Sequence, residues 1–517
     1  MSDTSSSTLE PLLTFLAYSF SKLESTFYKV PGSAVVARYV KSSHQNDPGR
    51  TVLELILVIF AIRTLLQSRT REDKQAKNFI EFSEKEVDEL VDEWTPDALV
   101  QPLSEWEQRD FSSVPIITGP NGPKPTLQST GKTVLNLASF NFVGLAGSEH
   151  IKEKAIETLR KYGLGSCGPP GFYGTIDVHL DLERAIAKFL GAESSILYSQ
   201  GFSTISSVIP AFCKRGDIVV ADRSVNFAIQ KGIQISRSTV RWYDHNDLQS
   251  LEDALISVEK ERKNRKGPLT RRFIVTEGIF ERDGEMVDLP KLIELKLKYK
   301  YRLILDESIS FGTVGRTGRG LTELYNVPAS QIDMLVGSVS NGLCSSGGFC
   351  AGTSFVTEHQ RINGTSFVFS ASMPALLATS ASEAISYLQN TPSVLVTLQE
   401  NIRVIRAVLE RTEGITLLGH RASPIIHFCL RSMPQTLTVT PPTPDHDAEE
   451  RTLQDIVDDA LENGVFITRG KHLRNQEMID SRPTIRIAAT AALSKKDVEK
   501  AAGIVKASIV RVLGKRR

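Results

Sequence analysis

From about Thr133 to residue 390, this 517-residue chain alternates short apolar runs with helical ones. No other feature restricts the fold as much. The strand-like runs are Ser195–Tyr198, Asp217–Ala221, Arg272–Thr276, Arg302–Leu305 and Met334–Val336. Helical stretches such as Ile151–Tyr162 and Leu180–Leu190, stopped by Gly163 and Gly191, belong to the same pattern. Strands and helices in alternation build a mostly parallel sheet covered on both faces.

Past residue 390 the pattern changes. Gly414–Leu430 and Val465–Ala489 read as strands of a smaller α+β domain, and Pro434–Glu450 has the Pro/Thr/acid-rich composition of a mobile loop. A chain this long exceeds one ordinary core, so two or three domains are expected. A net charge of +1 gives no reason to expect nucleic acid as a partner. Five scattered cysteines, Cys167, Cys213, Cys344, Cys350 and Cys429, never form CxxC. That spacing argues against a disulfide framework or a zinc site and for a reducing compartment. The nine histidines show no metal spacing.

The first 132 residues form a different region. Residues 1–50 lack the basic start and cleavage site of a signal peptide. Leu9–Tyr28 mixes Leu and Phe with Ser, Lys and Glu, as an amphipathic helix does, lying either on a membrane surface or against the protein itself. His44–Arg50 reads as a turn. Thr51–Gln67 is the most apolar segment, but Glu54 and Arg63 leave only Leu55–Ile62 uninterrupted. A bilayer span needs about 20 residues, so residues 51–68 are either a short transmembrane helix with snorkelling ends or a membrane-embedded or buried one. Arg69–Lys77 is a charged exit linker. Phe82–Trp94 is a helix with a Ser83/Glu86 capping box, ended by Pro96. Phe111–Lys132, rich in Pro and Gly, closes a linker over residues 69–132. The large domain then spans 133–390 and the small one 391–517.

The chemistry concentrates around Asp333–Gly348, DMLVGSVSNGLCSSGG, an apolar strand giving way to small, flexible residues. Asn341 stands where such a turn exposes a reactive side chain. The stretch resembles the cofactor-lysine site of the α-oxoamine synthases, a family of pyridoxal-phosphate (PLP) enzymes with an aspartate-aminotransferase-like fold. In that family a lysine forms an imine with PLP. An asparagine amide is not basic and cannot do so. Leu303–Gly312 (LILDESISFG) is similar to the family's strand bearing the aspartate that pairs with the pyridinium nitrogen. Asp306 matches that aspartate, while Ile309 replaces the histidine that bonds the phenolic oxygen. Ala221–Ala228 (ADRSVNFA) resembles the ring-stacking segment, with Asn226 for the histidine and Ala228 for a serine. Thr490–Ser494 resembles another family segment, with Leu493 for its histidine. Arg486 matches the arginine for the substrate carboxylate. Asp306 also reads as an ordinary strand-end carboxylate.

Tyr162–Thr175, YGLGSCGPPGFYGT, resembles the family's glycine-rich loop, with Pro170 where an arginine stands. Glycines here let backbone approach a ligand or another chain. Within it, Cys167, Gly168 and Pro169, then Gly171, Phe172, Tyr173 and Gly174, resemble one branch of the family: the non-catalytic long-chain-base subunits 1 of eukaryotic serine palmitoyltransferases. Asp177-Val178-His179 and Ile274–Phe280 extend that likeness. Cys167 also fits a small buried residue in a tight turn.

The resemblance implies a subunit that is inactive alone, in a complex condensing L-serine with palmitoyl-CoA to 3-oxosphinganine. PLP would be held by the lysine of a catalytic long-chain-base subunit 2 in a heterodimer, with the Cys167 loop bordering the shared site. It further implies a small activating subunit, inhibitory membrane regulators of the Orm type, membrane lipid as a contact, and residence at the endoplasmic reticulum membrane with the globule in the cytosol. Two rivals remain: a self-sufficient PLP enzyme using a different lysine, and a pure scaffold. Gly312–Gly320 (GTVGRTGRG) mimics a phosphate loop but reads as a family turn. Asn363-Gly364-Thr365 is a formal glycosylation acceptor with no role in a cytosolic globule.

Overall fold

The computed structural model describes residues 21–22, 25–29, 31–76, 82–96, 99, 102–264, 270–431, 444–473, 476–479 and 481–515. Contacts divide the chain into two compact units, Met1–Asp110 and Phe111–Arg517.

In the first unit, most of the amphipathic helix expected over Leu9–Tyr28 lies outside the described residues. Helices follow at Ser33–Asn46, Pro48–Ala76, Glu84–Glu93 and Glu105–Ser112. The expected turn over His44–Arg50 shrinks to Asp47. Its Oδ1 accepts the Arg50 N–H at 3.1 Å, and Pro48 starts the next helix, so a capping side chain and a proline at the first position restart the helix at once. That helix runs on into the charged stretch expected as a linker, as far as Ala76.

Among the described residues no helix is long and apolar enough to cross a membrane, which corrects the transmembrane reading of residues 51–68. The 29-residue helix carries Arg50, Glu54 and Arg63 within or beside its apolar run. Arg50 Nε meets Glu54 Oε1 at 3.0 Å. Leu53, Leu55, Ile56, Leu57 and Phe60 are each more than half exposed. The capping box forms as expected: the Ser83 N–H donates to Glu86 Oε2 at 2.8 Å and Ser83 Oγ accepts the Glu86 N–H.

The second unit is built on a seven-stranded sheet. Its strands are β1 (Ser194–Tyr198), β2 (Ile218–Asp222), β3 (Thr239–Tyr243), β4 (Arg272–Glu277), β5 (Arg302–Asp306), β6 (Met334–Ser338) and β7 (Gly348–Gly352), in spatial order β1-β7-β6-β5-β4-β2-β3. Strands β2 to β6 run parallel to their neighbours, and β7 runs antiparallel between β1 and β6. Strands β2, β4, β5 and β6 have buried, apolar centres and carry polar residues at their ends, as a sheet covered on both faces requires. Flanking helices include α1 (Asp177–Leu190), α2 (Gly201–Phe212) and α3 (Phe227–Ser236).

A second, antiparallel sheet holds β8 (Ile415–Leu418), β9 (Ile425–Leu430), β10 (Thr468–Arg469) and β11 (Ile485–Ala488), in order β8-β9-β11-β10. It falls within the two segments read as strands of the smaller domain. The loop expected over Pro434–Glu450 is corrected at its C-terminal end: a helix runs over Pro444–Glu462, and residues 432–443 lie outside the described ones. Asp447 lies in the first turn, where a helix N-terminus favours an acidic side chain, while Glu449 and Glu450 pair with Arg482 and Arg469. Phe111–Lys132 carries a short antiparallel ladder, Ile117–Thr118 with Thr126–Leu127, and lies within the larger unit.

Strand β7, GFCAG, gave no strand signal. Its place is secured by the packing of Phe349, which sits edge-on to Phe311 with centroids 4.7 Å apart; Phe311 in turn meets Phe189 at 5.8 Å. The Phe349 ring lies over Gly337 of β6, where a Cβ would fall 2.5 Å from its Cζ. Gly337→Ala should therefore destabilise the chain by about 1–3 kcal/mol through overpacking. In urea denaturation, trimming the ring in Gly337→Ala/Phe349→Leu should recover part of that loss.

Candidate functional site

The parallel strands end along one edge in polar residues: Asp222 on β2, Glu277 on β4, Asp306 on β5 and Ser338 on β6. Carboxyl ends of such strands are where open α/β sheets bind ligands. Asp306 and Glu277 are both buried, and burial pushes both carboxyls up; for Glu277, the Asp306 charge adds to a rise well above the usual carboxylate range.

Asn226 joins them. It caps α3, its Oδ1 accepting the Ile229 N–H at 3.0 Å. Its own N–H donates to Glu277 Oε1 at 2.6 Å, and its Nδ2 donates to Asp306 Oδ2 at 3.1 Å. The other Asp306 oxygen accepts the Ser308 N–H at 2.9 Å. Asn341 lies one step away, its Nδ2 donating to the Ser308 carbonyl at 2.9 Å. Ile309 is buried and apolar. Asn226, Asp306 and Asn341 are thus linked through one hydrogen-bonded stretch, and Ile309 follows Ser308 in it.

Arg486 comes from the other sheet. It pairs in register with His427, lies over the Phe140 ring at 4.5 Å, and has Glu281 Oε1 at 3.6 Å. A cavity of about 240 Å³ is lined by Asn226, Glu281, His427, Lys471, His472 and Arg486, among others. Burial lowers His427 to about 4, and burial together with nearby Arg282 lowers His472 to about 3. Both imidazoles are neutral at pH 7, and among the described residues neither Nε2 has a hydrogen-bond partner. Leu493 is buried, its carbonyl accepting from Asn401 Nδ2 at 3.1 Å.

The glycine-rich loop stands apart from this stretch. Among the described residues, none from Cys167 to Gly174 hydrogen-bonds to Asn226, Asp306, Ile309 or Asn341. The loop is held instead by the segment before Ala375: the Ser372 N–H donates to the Gly168 carbonyl at 3.0 Å. His179 accepts the Ile176 N–H on Nδ1 at 3.1 Å, which leaves Nε2 as the donor to the Met373 carbonyl at 2.6 Å. Pro170–Gly174 forms a single π-type turn with Tyr173 at φ 65°. A Cβ on Gly174 would lie 2.0 Å from the Gly168 oxygen, so only glycine fits. Cys167 is exposed at φ 56°, which overturns its reading as a buried filler. Phe172 and Tyr173 are exposed as well.

The phosphate-loop mimic at Gly312–Gly320 is filled from within. Glu323 Oε2 accepts the N–H groups of Thr317 and Arg319 at 2.9 and 3.3 Å. Glu307 accepts the Leu321 N–H at 3.0–3.1 Å; burial pushes its carboxyl up to about 7.

Sequence reading placed Glu277 in the Ile274–Phe280 likeness but gave it no site role, although a carboxylate closing an apolar run was a visible signal. It also missed His245, whose partners are distant in sequence. His245 Nδ1 meets Asp222 Oδ1 at 3.0 Å and its Nε2 meets Asp283 Oδ2 at 2.8 Å.

Residues 132–505 match the aminotransferase class I and II family. Long chain base biosynthesis protein 1b of rice (Oryza sativa subsp. japonica) is 43% identical over 77% of this chain and 80% of its own length. Serine palmitoyltransferase 1 of Saccharomyces cerevisiae is 36% identical over 93% and 92%. The chain belongs to the serine palmitoyltransferase family. The fold agrees: a solved structure of SPT with PLP as internal aldimine superposes with a TM-score of 0.68 at 21% identity, over 79% of this chain and 96% of that one. Family members are transferases on a PLP-dependent fold.

The residues of this serine palmitoyltransferase homologue do not fit covalent PLP at position 341. The cofactor needs a primary amine and an anion for its ring nitrogen. Asn341 offers an amide committed to Ser308, and the Asp306 oxygen facing Asn226 is already bonded to it.

The His245 cluster gives a pH test. Burial pulls the imidazole down, but Asp222 and Asp283 outweigh it and raise it from 6.5 to about 10. The stabilisation is therefore complete below pH 6.5 and fades as pH rises toward about 10. Thermal melts should show that alkaline decline, and His245→Gln should flatten it while lowering the melting temperature most near pH 6 and least above pH 10.

Proposed function

We propose that this chain is the non-catalytic, structurally required subunit of a heteromeric serine palmitoyltransferase, which condenses L-serine with palmitoyl-CoA to 3-oxosphinganine. The observation that carries the reading is the amide at position 341, a hydrogen-bond donor to Ser308 in place of an amine. Catalysis then depends on a lysine-bearing long-chain-base subunit 2, which holds PLP. The loop with Cys167, Phe172 and Tyr173 supplies interface to that partner. Its exposed aromatic side chains on a fixed turn suit such a role. Arg486 is the substrate-side residue of the degenerate pocket.

The first unit is the membrane-associated part. Its apolar helix exposes Leu53 to Phe60 broadly, and Glu54 is neutralised by Arg50, which suits an interfacial or embedded helix. Substrate acyl chain and product both partition into lipid. On this reading the complex resides at the endoplasmic reticulum membrane, with the globule cytosolic and the N-terminal helices open to a small activating subunit and Orm-type regulators.

One observation favours a second reading. Lys471 lines the same cavity as Asn226, so a self-sufficient PLP enzyme has a named lysine to use.

Incubating the purified chain with PLP, reducing with borohydride and measuring intact mass separates the two. No adduct is expected on this chain alone, and an adduct mapping to Lys471 would establish the rival. Co-purification should bring down a larger homologue that does carry the adduct and restores condensation of serine with palmitoyl-CoA. Deleting residues 1–68 should release the globule from membranes when it is expressed without that partner; retention would refute the anchoring role.

A further inference from the structure

The buried carboxylate at the end of β5 has no face on the cavity. Asp306 is 3% exposed, and the residue that lines the cavity beside it is Asn226. Asn226 is fixed at three points: its side-chain oxygen caps α3, its backbone N–H is on Glu277, and its side-chain nitrogen is on Asp306 Oδ2. With Ser308 on Oδ1, both Asp306 oxygens have an internal donor.

We propose that Asn226 is a built-in plug, a protein side chain supplying Asp306 with the hydrogen bond that a ring nitrogen supplies in a PLP enzyme, so that a lysine at position 341 is not sufficient to give this chain a cofactor. A buried carboxylate without a partner is costly, and a chain that does not keep PLP must satisfy it from within. The plug cannot swing aside cheaply, because leaving Asp306 also disturbs the cap and the Glu277 contact. A pyridoxal ring would have to displace that amide before reaching its anion. The inference rests on the reading of 341 and 306 as cofactor positions and adds the residue that closes them.

Asn226→Ser separates the plug from the cap. Serine still caps a helix but carries no amide to reach Asp306. The full chain, in complex with its partner, is incubated with excess PLP, reduced with borohydride and resolved by denaturing chromatography, so that the mass of this chain alone is read. The native chain and Asn341→Lys should show no adduct at position 341; Asn341→Lys/Asn226→Ser should show one. An adduct at 341 in Asn341→Lys matching that of the double variant overturns the plug. So does a folded, partner-bound double variant with none. An adduct on the native chain overturns the non-catalytic reading instead.

A double-mutant cycle needs no lysine. Melting temperatures of Asn226→Ser, Asp306→Ala and the pair should be strongly non-additive, the pair little worse than Asp306→Ala. Additive shifts overturn the plug.

Discussion

A buried carboxylate must find donors inside the protein, and the architecture of the larger unit depends on how four of them do. Asp222, Glu277, Asp306 and Glu307 lie where the parallel strands end, all of them buried. Each is met by main-chain N–H groups or polar side chains within the fold: Ser224, Asn246 and His245 for Asp222, Asn226 and Glu281 for Glu277, Asn226 and Ser308 for Asp306, Leu321 and Ser310 for Glu307. The loops leaving the sheet are placed by these bonds. The same edge that suits a family for ligand chemistry is here occupied by the chain itself.

Side-chain amides take up the positions along this edge. Asn341 Nδ2 donates to the Ser308 carbonyl. Asn226 Nδ2 donates to Asp306 while its Oδ1 caps α3. The glycine-rich turn over Gly312–Gly320 likewise holds Glu323 where a phosphate nest would hold a ligand. In each place an internal hydrogen bond meets a need that a bound molecule meets elsewhere.

Much of this was written in local sequence. Apolar runs closed by polar residues located β1, β2, β4, β5 and β6, because strands buried on both faces need no alternation. Asn341, Asn226 and Asp306 were singled out through a family resemblance, and hydrogen bonds by way of Ser308 link the three at the sheet's edge. What escaped depended on tertiary contact. The small residues of β7 are a strand only because Phe349 seats on Gly337. β3, TVRWY, is an edge strand with mixed burial, so its pattern is weak. The helix from Pro444 was hidden behind a composition shared by loops and helix N-termini. His245 could not be paired by eye with Asp222 and Asp283, 23 and 38 residues away. At the N-terminus hydropathy overstated continuity, since the helix bearing the apolar run holds charges along its length.

The turn at Pro170–Gly174 has a consequence for association kinetics. Gly168 and Gly174 are pressed backbone to backbone, and His179 ties the following residues to Met373. The two aromatic rings at its tip are therefore carried on a stiff knuckle rather than a floppy arm. A surface that meets them loses little chain entropy on contact, so complexes formed there should be long-lived relative to their area, and drift in the glycines would shorten that lifetime before it altered which partner is chosen.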